Sequence, residues 1–107
     1  MPVLYTIVID KLKTMKLPKQ LIICDIIWRI EVRKYAGKNT MGYCDINKRL
    51  IVILKGMSDF DSLSTLIHEV NHAIEFTLNI KIGHNIINKT EAPITSVIFQ
   101  LFKTEHT

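Results

Sequence analysis

The feature that most constrains this chain is the run His68-Glu69-Val70-Asn71-His72, which lies in a stretch with helical periodicity. On a helix, residues four apart lie one turn above each other, so His68 and His72 can bind one metal ion at about 2 Å. Glu69 lies roughly 100° round the helix from His68, which keeps its carboxylate off the ion but near a metal-bound water. There it can act as a general base. The pattern predicts zinc on both histidines, with Glu69 catalytic.

The periodicity also places both histidines on one face of the helix. With His68 at zero on a wheel of 100° per residue, Thr65, His72, Glu75 and Asn79 fall within about 60° of it. The apolar residues fall between about 140° and 280°. They are Leu63, Leu66, Ile67, Val70, Ala73, Ile74 and Leu78. The histidines are therefore not expected in the core. The alternative to a metal site is a helix face that is solvated and binds no metal. Glu75 on this face could orient a histidine or could simply be solvated.

A zinc site needs a third protein ligand. Glu91 is the first choice, because it follows His72 by nineteen residues and is expected in the first turn of the last helix. Its carboxylate there would also suit the positive end of the helix dipole without any metal. His84 is the rival ligand, in the loop expected between the helices; it could instead stabilise an oxyanion or be an ordinary surface histidine.

The remaining sequence predicts one α+β domain over residues 1–107. An N-terminal helix is indicated by Leu4, Val8, Leu12 and Met15, although residues 3–9 could also form a strand. One or two strands are expected in residues 20–35, followed by strands over 41–45 and 49–54 joined as a hairpin. The sheet is thus small, three- or four-stranded and mostly antiparallel.

Two helices are expected to follow the strands. The first covers about residues 59–79, because N-cap residues and acidic side chains crowd its start. The second runs from Glu91 to about residue 103, with Thr90 as its N-cap and Pro93 in its first turn, where the missing N–H costs nothing. The order is helix, strands, then two helices.

Composition narrows the class of protein. Apolar residues make up 48% of the chain and charged residues 22%, so a core can be buried. The net charge of +4 comes from scattered basic residues, and nucleic-acid binding is not expected. Cys24 and Cys44 are too few for a disulfide scaffold and are interpreted as small packing residues. No leader and no apolar run of membrane length are found, which predicts a cytoplasmic protein without a membrane partner.

On these residues the chain resembles a small zincin, the class of HExxH metallopeptidases. The resemblance covers roughly residues 42–102 and is nearest to gluzincin-like domains of phage and bacterial origin, such as the ImmA/IrrE-like group. It implies zinc on His68, His72 and Glu91, a peptide or protein substrate bound along the strand before the active helix, and a bacterial or phage-infected host cell. SprT-like proteases are the second choice, since Gly83-His84 resembles their third-ligand element. Asn71 departs from the small residue common before the second histidine.

The sequence predicts a zinc-dependent peptide hydrolase, with peptide added to the edge of the strand over residues 49–54. The alternative is a non-catalytic zinc-containing module that binds or regulates a partner, since a chain of 107 residues has little material for substrate subsites. The substrate and the oligomeric state are left open.

Overall fold

The computed structural model describes residues 17–104, and the side chains of 17–101. Within this range the fold is α+β, as predicted, with four strands followed by two helices. The strands are β1 (Gln20–Ile23), β2 (Ile26–Arg33), β3 (Gly42–Asp45) and β4 (Leu50–Leu54). The helices are α1 (Asp59–Leu78) and α2 (His84–Thr104). The predicted N-terminal helix falls on residues 1–16 and so lies outside the described residues.

The strands form one sheet in the order β1-β2-β4-β3. The β1/β2 and β3/β4 pairs are antiparallel, and β3 and β4 form the predicted hairpin. The β2/β4 pair is parallel, which makes the sheet mixed. Because β4 lies between β2 and β3, the expectation that its edge is free for a peptide was wrong. Among the described residues, β3 is the edge strand on this side of the sheet.

Helix α1 packs across one face of the sheet. The inward side chains of the central strands alternate along β2 and β4 and meet one side of α1, as a half-buried sheet requires. The core they form contains Ile23, Trp28, Ile30, Ile51, Ile53, Leu66 and Ala73. Since this core takes the apolar face of α1, the opposite face carries the histidines away from it.

The first helix begins and ends at residues suited to those positions. The Ser58 side chain accepts a hydrogen bond from the Asp61 backbone N–H at 3.1 Å, which caps the N-terminus. Asn79 ends the helix in the left-handed conformation with φ 52°. The predicted helix over residues 59–79 is confirmed by these boundaries.

The last helix begins earlier than the sequence predicted. It starts at His84, directly after Gly83 with φ +93°, and it contains Pro93 in its interior. Thr90 is not an N-cap: its hydroxyl donates to the Ile86 carbonyl one turn back at 2.8 Å. Glu91 therefore lies in the body of the helix, whereas His84 is at its N-terminus. Neither α1 nor the described part of α2 has a stretch long and apolar enough to cross a membrane.

Candidate metal centre

Helix α1 supplies two imidazoles that meet in space. His68 and His72 lie one turn apart, and their Nε2 atoms are 3.3 Å from each other. Both side chains are partly buried, with about a fifth of their surface exposed. The four-residue spacing thus produces the convergence that the sequence predicted.

The first residue of α2 adds a third imidazole. His84 Nε2 lies 3.0 Å from His72 Nε2, and the two rings meet edge to face with centroids 4.6 Å apart. One nitrogen from each of His68, His72 and His84 lies within 4.8 Å of the others. Three histidines are therefore close enough to bind a metal ion.

Two carboxylates contact the outer nitrogens of the α1 histidines, that is, the Nδ1 atoms, which lie outside the Nε2 cluster. Nδ1 of His68 is 2.6 Å from Glu91 Oε2, and Nδ1 of His72 is 2.8 Å from Glu75 Oε1. Because an ionised carboxylate only accepts hydrogen bonds, Nδ1 of each histidine carries the proton. In the neutral ring the lone pair is then on Nε2. If both rings are neutral, a cation between the two Nε2 atoms, which are 3.3 Å apart, would be bound by both lone pairs.

Glu75 also holds the segment that leads to His84. Its Oε2 accepts hydrogen bonds from the backbone N–H groups of Ile82 at 2.7 Å and Gly83 at 3.0 Å. Hydrogen bonds from Gly83 and from the His72 side chain lower the pKa of Glu75 to about 2. A single carboxylate thus orients one histidine of the cluster and fixes the backbone immediately before another.

Glu69 is buried beside the cluster, with 7% of its surface exposed. Burial raises the pKa of its carboxyl above the usual range, while charge on His68 and His72 acts in the opposite direction. Its side chain lines two cavities that also contact His68, of about 580 and 270 Å³. Glu69 therefore borders the open space beside the histidines.

The edge strand β3 forms the wall of both cavities facing α1. A Cβ atom added to Gly42 would meet the Val52 carbonyl oxygen at 2.7 Å and Thr65 Cγ2 at 2.8 Å, so only glycine allows this close approach. Cys44 follows on the same strand, half-buried in the larger cavity. Burial, with smaller contributions from Glu69 and Asp45, raises the pKa of the Cys44 thiol to about 12.

The structure gathers the predicted site residues in a different arrangement from the one expected. His68, Glu69 and His72 lie together, whereas the Glu91 carboxylate contacts the outer nitrogen of His68 and is not part of the three-histidine group. These contacts favour His84, the alternative ligand, over Glu91. The sequence left open whether Glu75 orients a histidine or is solvated, and the structure shows it in contact with His72. Its position three residues after His72, on the histidine face of the helix, already favoured that contact.

No family model, curated protein or solved structure matches this chain. The resemblance to zincins accordingly stays a prediction that rests on the residues themselves.

Proposed function

We propose that the protein is a zinc-dependent hydrolase of peptide bonds, with His68, His72 and His84 as the metal ligands and Glu69 as the general base. The observation that carries this proposal is the convergence of three imidazole Nε2 atoms, two of them with lone pairs fixed by carboxylates. Neutral imidazole is a preferred zinc ligand, and three protein ligands leave a fourth position for water or substrate.

The spacing of the nitrogens supports zinc as the ion. Ligands bound to tetrahedral zinc at 2.0–2.1 Å lie about 3.3 to 3.4 Å from one another. The Nε2 atoms of His68 and His72 are 3.3 Å apart, and those of His72 and His84 are 3.0 Å apart. The nitrogens of all three histidines lie within 4.8 Å of one another.

In this proposal Glu91 changes its role. Glu91 was the expected third ligand. We propose instead that it accepts a hydrogen bond from Nδ1–H of His68, as Glu75 does from His72. Carboxylates in this position fix the ring tautomer and orientation and increase the basicity of the bound nitrogen. Both α1 histidines therefore have the outer partner that metal-binding histidines usually have.

The metal ion and the protein would each supply part of the hydrolysis reaction. When bound, zinc polarises a carbonyl and makes a water molecule acidic. Glu69 follows the first ligand in sequence and lines the cavities beside it, so its carboxylate is placed to take a proton from the attacking water. It then returns that proton to the amine leaving group, which completes hydrolysis without any other acid.

The edge of β3 supplies the path for a peptide. This strand pairs with β4 along one edge, and its residue Gly42 lines both cavities. An extended peptide can add to such an edge through main-chain hydrogen bonds. That would bring a scissile carbonyl past the three histidines.

The test combines metal analysis with a peptide library. We expect one zinc per chain, cleavage of a subset of peptides, and loss of cleavage on chelation. Glu69→Gln should keep the zinc and abolish turnover, whereas Glu31→Gln, which removes a surface carboxylate paired with Arg33, should change neither. Zinc bound without hydrolysis of any peptide would overturn the enzyme and favour the regulatory binding module; turnover by Glu69→Gln would remove Glu69 as the base.

A further inference from the structure

The two cavities beside the histidine cluster differ in chemistry. We infer that the site selects peptides with a large apolar side chain on one side of the cleaved bond and a small or polar one on the other. This inference rests on the proposed function and adds the class of substrate to it.

The larger cavity has an apolar end. Ile46, Phe76 and Ile80 line it, and each exposes between 39% and 51% of its surface. Phe76 lies one turn beyond His72 on α1, so the same helix face that holds the histidines continues into this apolar wall. With a volume of about 580 Å³, the cavity has room for a leucine, phenylalanine or tryptophan side chain. A substrate side chain there would cover surface that now faces water.

The smaller cavity is lined mainly by residues with polar side chains. Its volume is about 270 Å³, and its side chains include Asn39, Thr40, Thr65, Asn88 and Glu91. Met41 is the apolar exception. A large apolar side chain placed here would take the Asn39 and Asn88 amides out of water without replacing their hydrogen bonds, which is costly. Small or polar side chains avoid that cost.

The two cavities lie on opposite sides of the expected reaction centre. Both are lined by Gly42, His68 and Glu69. The larger one extends towards the end of β3 at Ile46, and the smaller one towards the residues before β3, from Asn39. A peptide lying along β3 past His68 therefore enters both cavities. Its side chains on either side of the cleaved bond meet different surroundings, which produces selectivity.

The experiment profiles the zinc-loaded full chain on a peptide library randomised on both sides of each bond. We expect cleavage to require leucine, phenylalanine or a similar residue on one side, with a preference of about tenfold or more over alanine. On the other side, small or polar residues should be preferred. Cleavage with no side-chain preference, or with large apolar residues favoured on both sides, would overturn the inference while leaving the hydrolase intact.

A pair of matched variants locates the apolar subsite. Phe76→Ala should reduce the leucine-over-alanine ratio of kcat/KM about tenfold, with zinc content unchanged. Leu78→Ala is the control, because Leu78 is on the same helix and equally exposed, at 52% against 51%, but does not line the cavity. Equal ratios for Phe76→Ala and the parent chain would refute this assignment.

A binding measurement separates the inference from turnover. Amino-acid hydroxamates bind zinc through their own oxygens, so they test the cavity even if no peptide is cleaved. We expect leucine hydroxamate to bind the zinc-loaded chain at least tenfold more tightly than glycine hydroxamate, and Phe76→Ala to remove most of that difference. Equal affinities in the parent chain would refute the apolar subsite, whatever the outcome for hydrolysis.

Discussion

Replacing Glu75 by glutamine should weaken metal binding at the proposed site, although Glu75 is not one of the proposed ligands. The change keeps the size of the residue and removes its charge. In the structure, Glu75 accepts hydrogen bonds from three donors: Nδ1–H of His72 at 2.8 Å and the backbone N–H groups of Ile82 and Gly83 at 2.7 and 3.0 Å. A glutamine side chain has one accepting oxygen and one donating NH₂ group, so it cannot accept on both sides.

Either orientation of the glutamine amide should lower the affinity for zinc. If the NH₂ group faces the loop, two backbone donors lose their acceptor and the segment before His84 is released. If it faces His72, the imidazole must accept at Nδ1, which moves its proton to Nε2 and removes the lone pair that would bind the ion. The loss of an outer carboxylate of this kind typically lowers metal affinity by about 10- to 100-fold. We expect Glu75→Gln to fall in that range.

The assay is competition for zinc against a chromophoric chelator, with circular dichroism to establish that the variant folds. Glu31→Gln is the matched control, since Glu31 makes a surface ion pair with Arg33 at 2.8 Å in which both side chains are about two-fifths exposed. Its zinc affinity should stay within about twofold of the parent chain. Folded Glu75→Gln with the same affinity as the control would refute the reasoning about this carboxylate.

Three further outcomes are expected. His84→Ala removes a proposed ligand and should lower zinc affinity by more than about a hundredfold. Glu91→Gln removes only a partner of His68 Nδ1 and should lower it by about tenfold. If zinc titrations show the larger loss for Glu91→Gln, Glu91 is the ligand. Gly42→Ala should lower the free energy of unfolding by about 1–3 kcal/mol, since its Cβ would meet the Val52 carbonyl oxygen at 2.7 Å; an unchanged urea midpoint would contradict the close approach. Because burial raises the pKa of Cys44 to about 12, its alkylation rate, followed by mass spectrometry, should rise about tenfold per pH unit from pH 7 to 10; a plateau within that interval would contradict the raised pKa.

Local sequence signals were sufficient for most of the fold. The N-cap Ser58, the acidic residues Asp59 and Asp61, and the apolar stripe of α1 correctly indicated both the position and the orientation of that helix. The predicted strand over residues 49–54 matches β4, whose unbroken apolar run is typical of a strand covered on both faces and is buried from Leu50 to Ile53. These predictions succeeded because each depends on residues that are close together along the chain.

Predictions that depend on tertiary placement were less successful. Thr90, Glu91 and Pro93 have the pattern of a helix start, yet the chain is already helical from His84, and the Thr90 hydroxyl bonds back into the preceding turn. As a result His84 is at the N-terminus of α2, where it contacts His72, while Glu91 contacts His68 from the body of the helix. The parallel pairing of β2 with β4, which moved the free edge to β3, likewise depends on how the segment between β2 and β3 passes the end of β4.

The carboxylates around the three histidines have a consequence for the charge of the site. Glu69, Glu75 and Glu91 contribute three negative charges when ionised, so a bound divalent cation leaves one in excess. The chain as a whole has fourteen basic and ten acidic residues, and the site is thus a negative region on a positive protein. Such a field attracts cationic groups and repels anionic ones over about a Debye length. If the proposed peptide hydrolysis is correct, peptides with a lysine or arginine near the cleaved bond should therefore bind the site faster than acidic ones, and added salt should reduce the difference.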